Sequence, residues 1–200
     1  MINIYTDGSA TKNRSGWGWI AYDEKGRCNY YYGQERGATN QRMELMAALK
    51  GLEFWDTFFS DKHDVTVYTD SAYLYNCYTD KWWINWENNG WVNSKGDPVA
   101  NKDLWKNLIK FFQNPQVKFE KVKGHSGHTY NELADKLATG CFNEDDLDNI
   151  LTYDEINDKI NIELSEILLD YSMKKYPVNE TIKRIREACS RGQYNSSTNS

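Results

Sequence analysis

Two stretches of this chain, "INIYTDGSA" at residues 2–10 and "VTVYTDSAY" at 65–73, are written the same way: alternating apolar residues, then Tyr-Thr-Asp, then small residues. Side chains alternate across a β-strand. Tyr5 and Asp7 therefore share one face of the first strand, and Tyr68 and Asp70 share one face of the second. If the two strands are parallel neighbours, the two carboxylates face each other at one end of the sheet, where open α/β folds place their ligands. Each aspartate alone has an ordinary explanation: Asp7-Gly8 is a common turn pair, and Asp70 is a good N-cap for a following helix.

The order of elements narrows the fold. Ile2–Thr6 alternates as a strand, and "SGWGWIAYD" and "CNYYYG" read as two more joined by a turn at Asp23–Gly26. "NQRMELMAALKGLEFWDTFF" is a long helical segment, Val65–Thr69 a strand, and Ser71–Tyr78 helix-like. "DKWWINWENNGW" predicts a helix ending near Gly90, and "NKDLWKNLIKFFQ" one that stops before Pro115. "VKFEKV" is a strand, and the loop "KGHSGH" leads into "TYNELADKLATG", where Thr129 and Glu132 have capping-box spacing and Gly140 fits a helix stop. Three early strands followed by strands alternating with helices predict an α/β fold: one mixed sheet flanked by helices.

The character changes after Cys141. "FNEDDLDN" reads as an acidic linker, Asp154 to about Tyr176 carries an apolar stripe (Ile156, Ile160, Leu164, Ile167, Leu168, Tyr171), and Pro177 breaks it. Asn179 caps a last short helix through Ala188, and "SRGQYNSSTNS" reads as a disordered end. The expected organisation is a first domain at 1–141 and an acidic linker with a helical extension at 142–200. Residues 1–141 hold 17 of the 29 acidic and 17 of the 24 basic residues, so the net charge of −5 belongs wholly to the extension. A neutral domain still binds anions through local patches or a metal. The four cysteines are scattered and never form C-x-x-C, which fits free thiols in a cytoplasmic protein. No apolar run approaches a membrane span of about 18 residues, and the strand pattern at the N-terminus leaves no room for a signal peptide.

Two further carboxylates stand in unusual company. Glu44 has Asn40, Gln41, Ala47, Ala48 and Gly51 on its helical face, a small-residue face suited to close packing on a sheet. Near a helix N-terminus it also fits the macrodipole. Asp135 has Asn131, Glu132 and Ala138, and alone reads as an ordinary polar position. Four carboxylates brought together repel, and their pKa values rise unless cations intervene. Oxygen-only ligands suit Mg²⁺ or Mn²⁺, and two such ions about 4 Å apart clamp the attacking and leaving oxygens of a phosphoryl transfer.

"YTDGSATKN", "TNQRMELMA", "TDSAYL", "WVNSKGDPVANKDLW" and "VKGHSGHTYNELADKLA" occur in this order over about residues 1–141. Together they resemble type 1 ribonuclease H. The resemblance implies a ribonuclease H-like fold with a five-stranded mixed sheet. It also implies a metal-dependent endonuclease that hydrolyses the RNA strand of RNA/DNA hybrids, leaving 5′-phosphate and 3′-hydroxyl ends. It makes Asp7, Glu44, Asp70 and Asp135 the ligands of two Mg²⁺ ions (Mn²⁺ substituting), with Asp7 bridging, and His125 a mobile group for proton transfer or product release; His128 has no catalytic assignment. Minor-groove contacts fall to Asn13, Asn40 and Gln41, whose amides both donate and accept. Thr39 and Asn101 match positions that hold a DNA-strand phosphate, where an Arg found in some relatives is replaced around Gly37.

Five of the eight tryptophans fall between Trp82 and Trp105. The resemblance makes this segment the protruding handle on the DNA strand, with Trp83 stacking on a sugar. Here the segment reads "NWENNGWVNSKGD", with few bases, which predicts modest hybrid affinity and a shallow salt slope. The expected partner is an RNA/DNA hybrid, the chain acting as a monomer, with the apolar stripe of the extension either packing on its own chain or docking a protein partner. Three rival readings compete with this one. A DNA-junction nuclease is opposed by "TNQRME" with Asn13, and a non-catalytic hybrid-binding module by the presence of all four carboxylates. A reverse-transcriptase fragment is opposed by a chain that begins at its own Met without a polymerase.

Overall fold

The computed structural model describes residues 1–24, 28–124, 129–143, 146, 183 and 184. Two compact units divide the chain, Met1–Ile150 and Leu151–Ser200. In the second, only Lys183 and Arg184 are described, and both are helical. The expected 154–176 helix and His125 lie outside the described residues.

The first unit runs β1 (Ile2–Ala10), β2 (Ser15–Asp23), β3 (Cys28–Gln34), α1 (Asn40–Phe58), β4 (Val65–Thr69), α2 (Ala72–Thr79), α3 (Trp82–Asn88), α4 (Lys102–Phe112), β5 (Val117–Lys121) and α5 (Thr129–Thr139). The strands form one mixed sheet in the order β3-β2-β1-β4-β5. β1–β2 and β2–β3 are antiparallel, while β1–β4 and β4–β5 are parallel. This is the expected five-stranded mixed sheet flanked by helices.

Alternation along the central strands sorts side chains into two unequal layers. Ile4, Trp19, Val67 and Phe119 join Met43, Leu52 and Trp55 of α1, Leu74 of α2 and Trp105 and Leu108 of α4 in the larger core. Tyr5 and Ile20 pack with Leu133 and Ala134 of α5 in the smaller one. The fully buried Trp55 and Trp105 each keep a partner for the indole N–H, donating to His63 O at 2.7 Å and Tyr73 Oη at 3.2 Å. Burying a large side chain this way contributes about 2–3 kcal/mol.

β1 is longer than its alternation suggested. It continues through Asp7 and Gly8 to Ala10, because β2 pairs with it along its whole length. Asp7-Gly8 is therefore strand, not turn. Helix punctuation follows the sequence: Gly90 (φ +81) and Gly140 (φ +70) take the left-handed conformation just past α3 and α5. The cap of α2 is Ser71 rather than Asp70; its hydroxyl accepts from Leu74 N at 3.3 Å.

Candidate active site

The register of β1 on β4 sets the site. Tyr5 is level with Tyr68 and Thr6 with Thr69, in parallel strands. The next residues are Asp7, still within β1, and Asp70, directly after the end of β4. Beneath them the Tyr5 and Tyr68 rings stack, with centroids 4.5 Å apart and planes at 11°. Tyr22 and Tyr130 extend this floor, stacked on each other at 4.2 Å. With Ser71 capping α2 and β1 running through Asp7, neither aspartate is spent on turn or cap chemistry.

Two glycines bring the helical carboxylates in. On one face, a Cβ at Gly8 would overlap the Glu44 backbone nitrogen and stand 2.7 Å from its Cα, so only glycine lets α1 cross β1 there. On the other, Gly18 stands opposite Asp7 on β2. A Cβ on Gly18 would overlap Leu137 Cβ and come within 3.0 Å of Ala138 N, so its absence seats α5, the helix that carries Asp135.

Glu44 is held at both oxygens. Oε1 accepts from Asn40 Nδ2 at 2.8 Å, and Oε2 accepts from the Ser71 hydroxyl. Asn40 is itself anchored, its Oδ1 accepting from Ala10 N at 3.1 Å. Ser71 thus serves two elements at once, capping α2 and fixing Glu44, and its backbone N–H donates to Thr69 Oγ1 at 3.1 Å. Sequence reasoning passed over Ser71; the signal was the hydroxyl directly after Asp70 in "TDS".

The electrostatics are those of crowded anions. The Asp7 carboxyl is pushed up to about 8, first by burial, then by Asp70 and Asp135, with Glu44 adding less; the Gly8 N–H, 2.7 Å from Oδ1, pulls the other way. Glu44 is raised by burial and by Asp70, against the lowering of its bonds from Ser71 and Asn40. Among the described residues no three carboxylates already close on one point as a finished ligand cage. The cluster is an open set of oxygen donors whose charges oppose one another, and that chemistry fits a hard divalent cation. Gly124, directly before His125 in sequence, approaches Asp70: a Cβ there would lie 2.6 Å from Oδ2.

Of the other expected contacts, Thr39, Asn40 and Gln41 sit exposed at the start of α1, where the Thr39 hydroxyl caps the helix by accepting from Arg42 N at 3.2 Å. Asn13 is exposed in the turn after β1, three residues past the Ala10 that Asn40 holds. Asn101 precedes α4 in a left-handed conformation (φ +57). Arg42 ties the starts of α1 and α4 together, donating to Asp103 through both terminal nitrogens at 3.0 and 2.9 Å and to Glu35 at 2.6 Å. Trp83 is half-buried against the larger core, its indole nitrogen enclosed without a hydrogen-bond partner among the described residues.

The family model described as RNase H matches residues 1–142. A ribonuclease H of Syntrophomonas wolfei is 45% identical over 140 residues, covering 68% of this chain and 92% of the relative. One from Caldicellulosiruptor saccharolyticus is 42% identical over 144 residues, covering 72% and 97%. Among solved structures, a foamy viral protease-reverse transcriptase in complex with RNA/DNA hybrid is similar with a TM-score of 0.59 at 26% identity, over 70% of this chain and 19% of that one. With the family model spanning most of the chain and relatives matched along nearly their full length, this chain belongs to the RNase H family of enzymes.

Proposed function

We propose that this chain is an endonuclease that hydrolyses the RNA strand of RNA/DNA hybrids, with Asp7, Glu44, Asp70 and Asp135 holding two divalent ions, Mg²⁺ or Mn²⁺. The observation that carries the reading is that Asp7 and Asp70 follow the paired Thr6 and Thr69 of parallel β1 and β4, with α1 and α5 seated against the same strand ends by Gly8 and Gly18. When bound, the ions supply Lewis-acid stabilisation of the charge developing on phosphate.

The chain's own residues do the positioning. Asp7 gives up the proton that burial and its neighbours favour, and Asn40 and Ser71 keep the Glu44 carboxylate in place. Asn13, Asn40 and Gln41 read the minor groove, where a 2′-hydroxyl tells RNA from DNA. Thr39 and Asn101 receive a DNA-strand phosphate, and Trp83 stacks on a sugar. Water attacks phosphorus in line, the bond to the 3′ oxygen breaks, and that oxygen leaves with a proton; the ends are 5′-phosphate and 3′-hydroxyl. His125 assists proton transfer or product release. Residues 1–141 form the catalytic domain, and 142–200 are accessory.

The test is incubation with labelled RNA/DNA, RNA/RNA and DNA/DNA duplexes in Mg²⁺, Mn²⁺ or EDTA, repeated with Asp70→Asn. Cleavage restricted to the RNA strand of the hybrid, dependent on metal and lost in the variant, is expected. Equal cleavage of RNA/RNA, or full activity of Asp70→Asn, would overturn the reading.

A further inference from the structure

Trp91 has an unusual backbone. Its φ is +70, a conformation that bulky L-residues avoid. It is pinned there on both sides: Trp91 N donates to Trp86 O at 2.8 Å, and Trp91 O accepts from Val99 N at 2.9 Å. The Asn89 side chain braces the same bend, accepting from Val92 N at 3.2 Å and donating to Val92 O at 3.1 Å. Strained residues persist where the surroundings over-determine them, commonly at ligand clamps.

Two ammonium groups stand over the held ring. Lys102 Nζ lies 5.4 Å and Lys106 Nζ 5.7 Å from the ring centroid. They are one turn apart on the exposed side of α4, whose other side buries Leu104, Trp105, Leu108 and Ile109. Among the described residues neither lysine has a carboxylate partner. By contrast Lys110, one turn further on, is engaged with Asn107 Oδ1 at 3.1 Å. Trp91 therefore holds two uncompensated positive charges side by side in place of letting them sweep through solvent.

This pair is continuous with the carboxylates. Lys102 follows Asn101, Asp103 is clamped to Arg42 at the start of α1, and Asn40 in that first turn bonds Glu44. We propose that Lys102 and Lys106, displayed on Trp91, bind successive backbone phosphates of the hybrid and supply positive charge that the segment from Trp86 to Asp97, with Lys95 as its single base, carries little of. The inference rests on the hybrid-cleaving reading above. It assigns the phosphate contacts to α4, beyond the loop that carries Lys95.

The test is hybrid binding by the full chain in EDTA, which prevents cleavage, across a range of monovalent salt. Each phosphate contact contributes about 0.9 to the slope of log affinity against log salt. Lys102→Gln and Lys106→Gln are each expected to lower the slope by about one, and the double variant by about two, while Lys102→Arg/Lys106→Arg retains it. Lys110→Gln, engaged elsewhere, should leave it alone. Wild-type slope in the double Gln variant, or an equal loss in Lys110→Gln, overturns this inference while hybrid cleavage by the wild type still stands. Wild-type protein that neither binds nor cleaves hybrid overturns the functional reading and this inference with it. Should the double variant melt early, the two single variants carry the same comparison.

Discussion

Gly8 and Glu44 are in backbone contact: a single methyl group on Gly8 would occupy the space of the Glu44 amide. Nothing flexible lines that gap, so a substitution moves the helix. Gly8→Ala is expected to cost about 3 kcal/mol, the upper range for overpacking, and to abolish the melting-temperature rise caused by Mg²⁺. Gly37→Ala is the comparison. Its Cβ meets nothing within 4 Å, and only the left-handed φ of +73 opposes it, for about 1 kcal/mol. Thermal melts with and without Mg²⁺ separate the two; equal losses would refute the close-approach account.

The raised Asp7 carboxyl predicts an inverted pH dependence for the metal-free protein. The folded chain holds this proton up to about pH 8, against 3.8 for the unreacted group. Its contribution to stability is thus complete below about pH 4 and is lost as the pH rises through about 8. Metal-free Asp7→Asn should melt about 3 °C or more above wild type at pH 8.5, with the gap narrowing toward pH 5. Parallel melting curves for the two proteins over that range would contradict the assignment. Added Mg²⁺ should stabilise wild type more than the variant.

Ser71 carries two duties that substitution can separate from mere packing. Ser71→Ala removes the cap of α2, about 1 kcal/mol, together with the Ser71–Glu44 bond. Ser71→Thr keeps a hydroxyl for both. The expected result is a Mg²⁺ half-saturation, read by calorimetric titration, that rises several-fold in the Ala variant and recovers in the Thr variant. Loss of stability in Ser71→Ala with unchanged Mg²⁺ titration would leave Ser71 as a cap alone.

Arg42 is a geometric clamp. Its planar fork meets both Asp103 oxygens and Glu35, a pattern an ammonium cannot copy. Arg42→Lys and Arg42→Ala should therefore both lose about 1 kcal/mol of stability and weaken hybrid binding, seen in denaturant melts and in affinity measurements. Full recovery by Lys would show that charge alone matters.

Truncation tests the accessory role of the C-terminal extension. Phe142 packs on Tyr30 with centroids 5.4 Å apart, and Asp146 pairs with Lys136. A chain ending at Ile150 keeps both contacts and should retain metal-dependent cleavage of hybrid. Complete loss of activity in a folded truncation would overturn the accessory role.

Much of this was legible in the sequence, because alternation and period report burial directly. Val65–Thr69 and "SGWGWIAYD" match β4 and β2 residue for residue. The face-sharing of Tyr5 with Asp7 and Tyr68 with Asp70 carried over into the stacked rings. What escaped was tertiary. Asp7-Gly8 has the local signature of a turn, and only the pairing with β2 carries the strand through it. Asp70 looked like a cap because the hydroxyl that displaced it comes one residue later. The resemblance gave Asn40 a minor-groove contact, but its bond to Ala10, thirty residues away, and its hold on Glu44 could not be read from the sequence. The placement of Lys102 and Lys106 over the Trp91 ring is set by tertiary contact and has no local signature in the sequence.

The candidate site draws on the first strand and the last described helix, and that has a consequence for synthesis. Asp7 leaves the ribosome early, Asp135 only after every strand of the sheet has been translated. Domains fold as units during translation, so a nascent chain short of α5 lacks one of its four carboxylates however much of its sheet has formed. On the proposed reading, the growing polypeptide gains its full set of metal-holding carboxylates only when α5 emerges, after the sheet that carries the other strands is already complete.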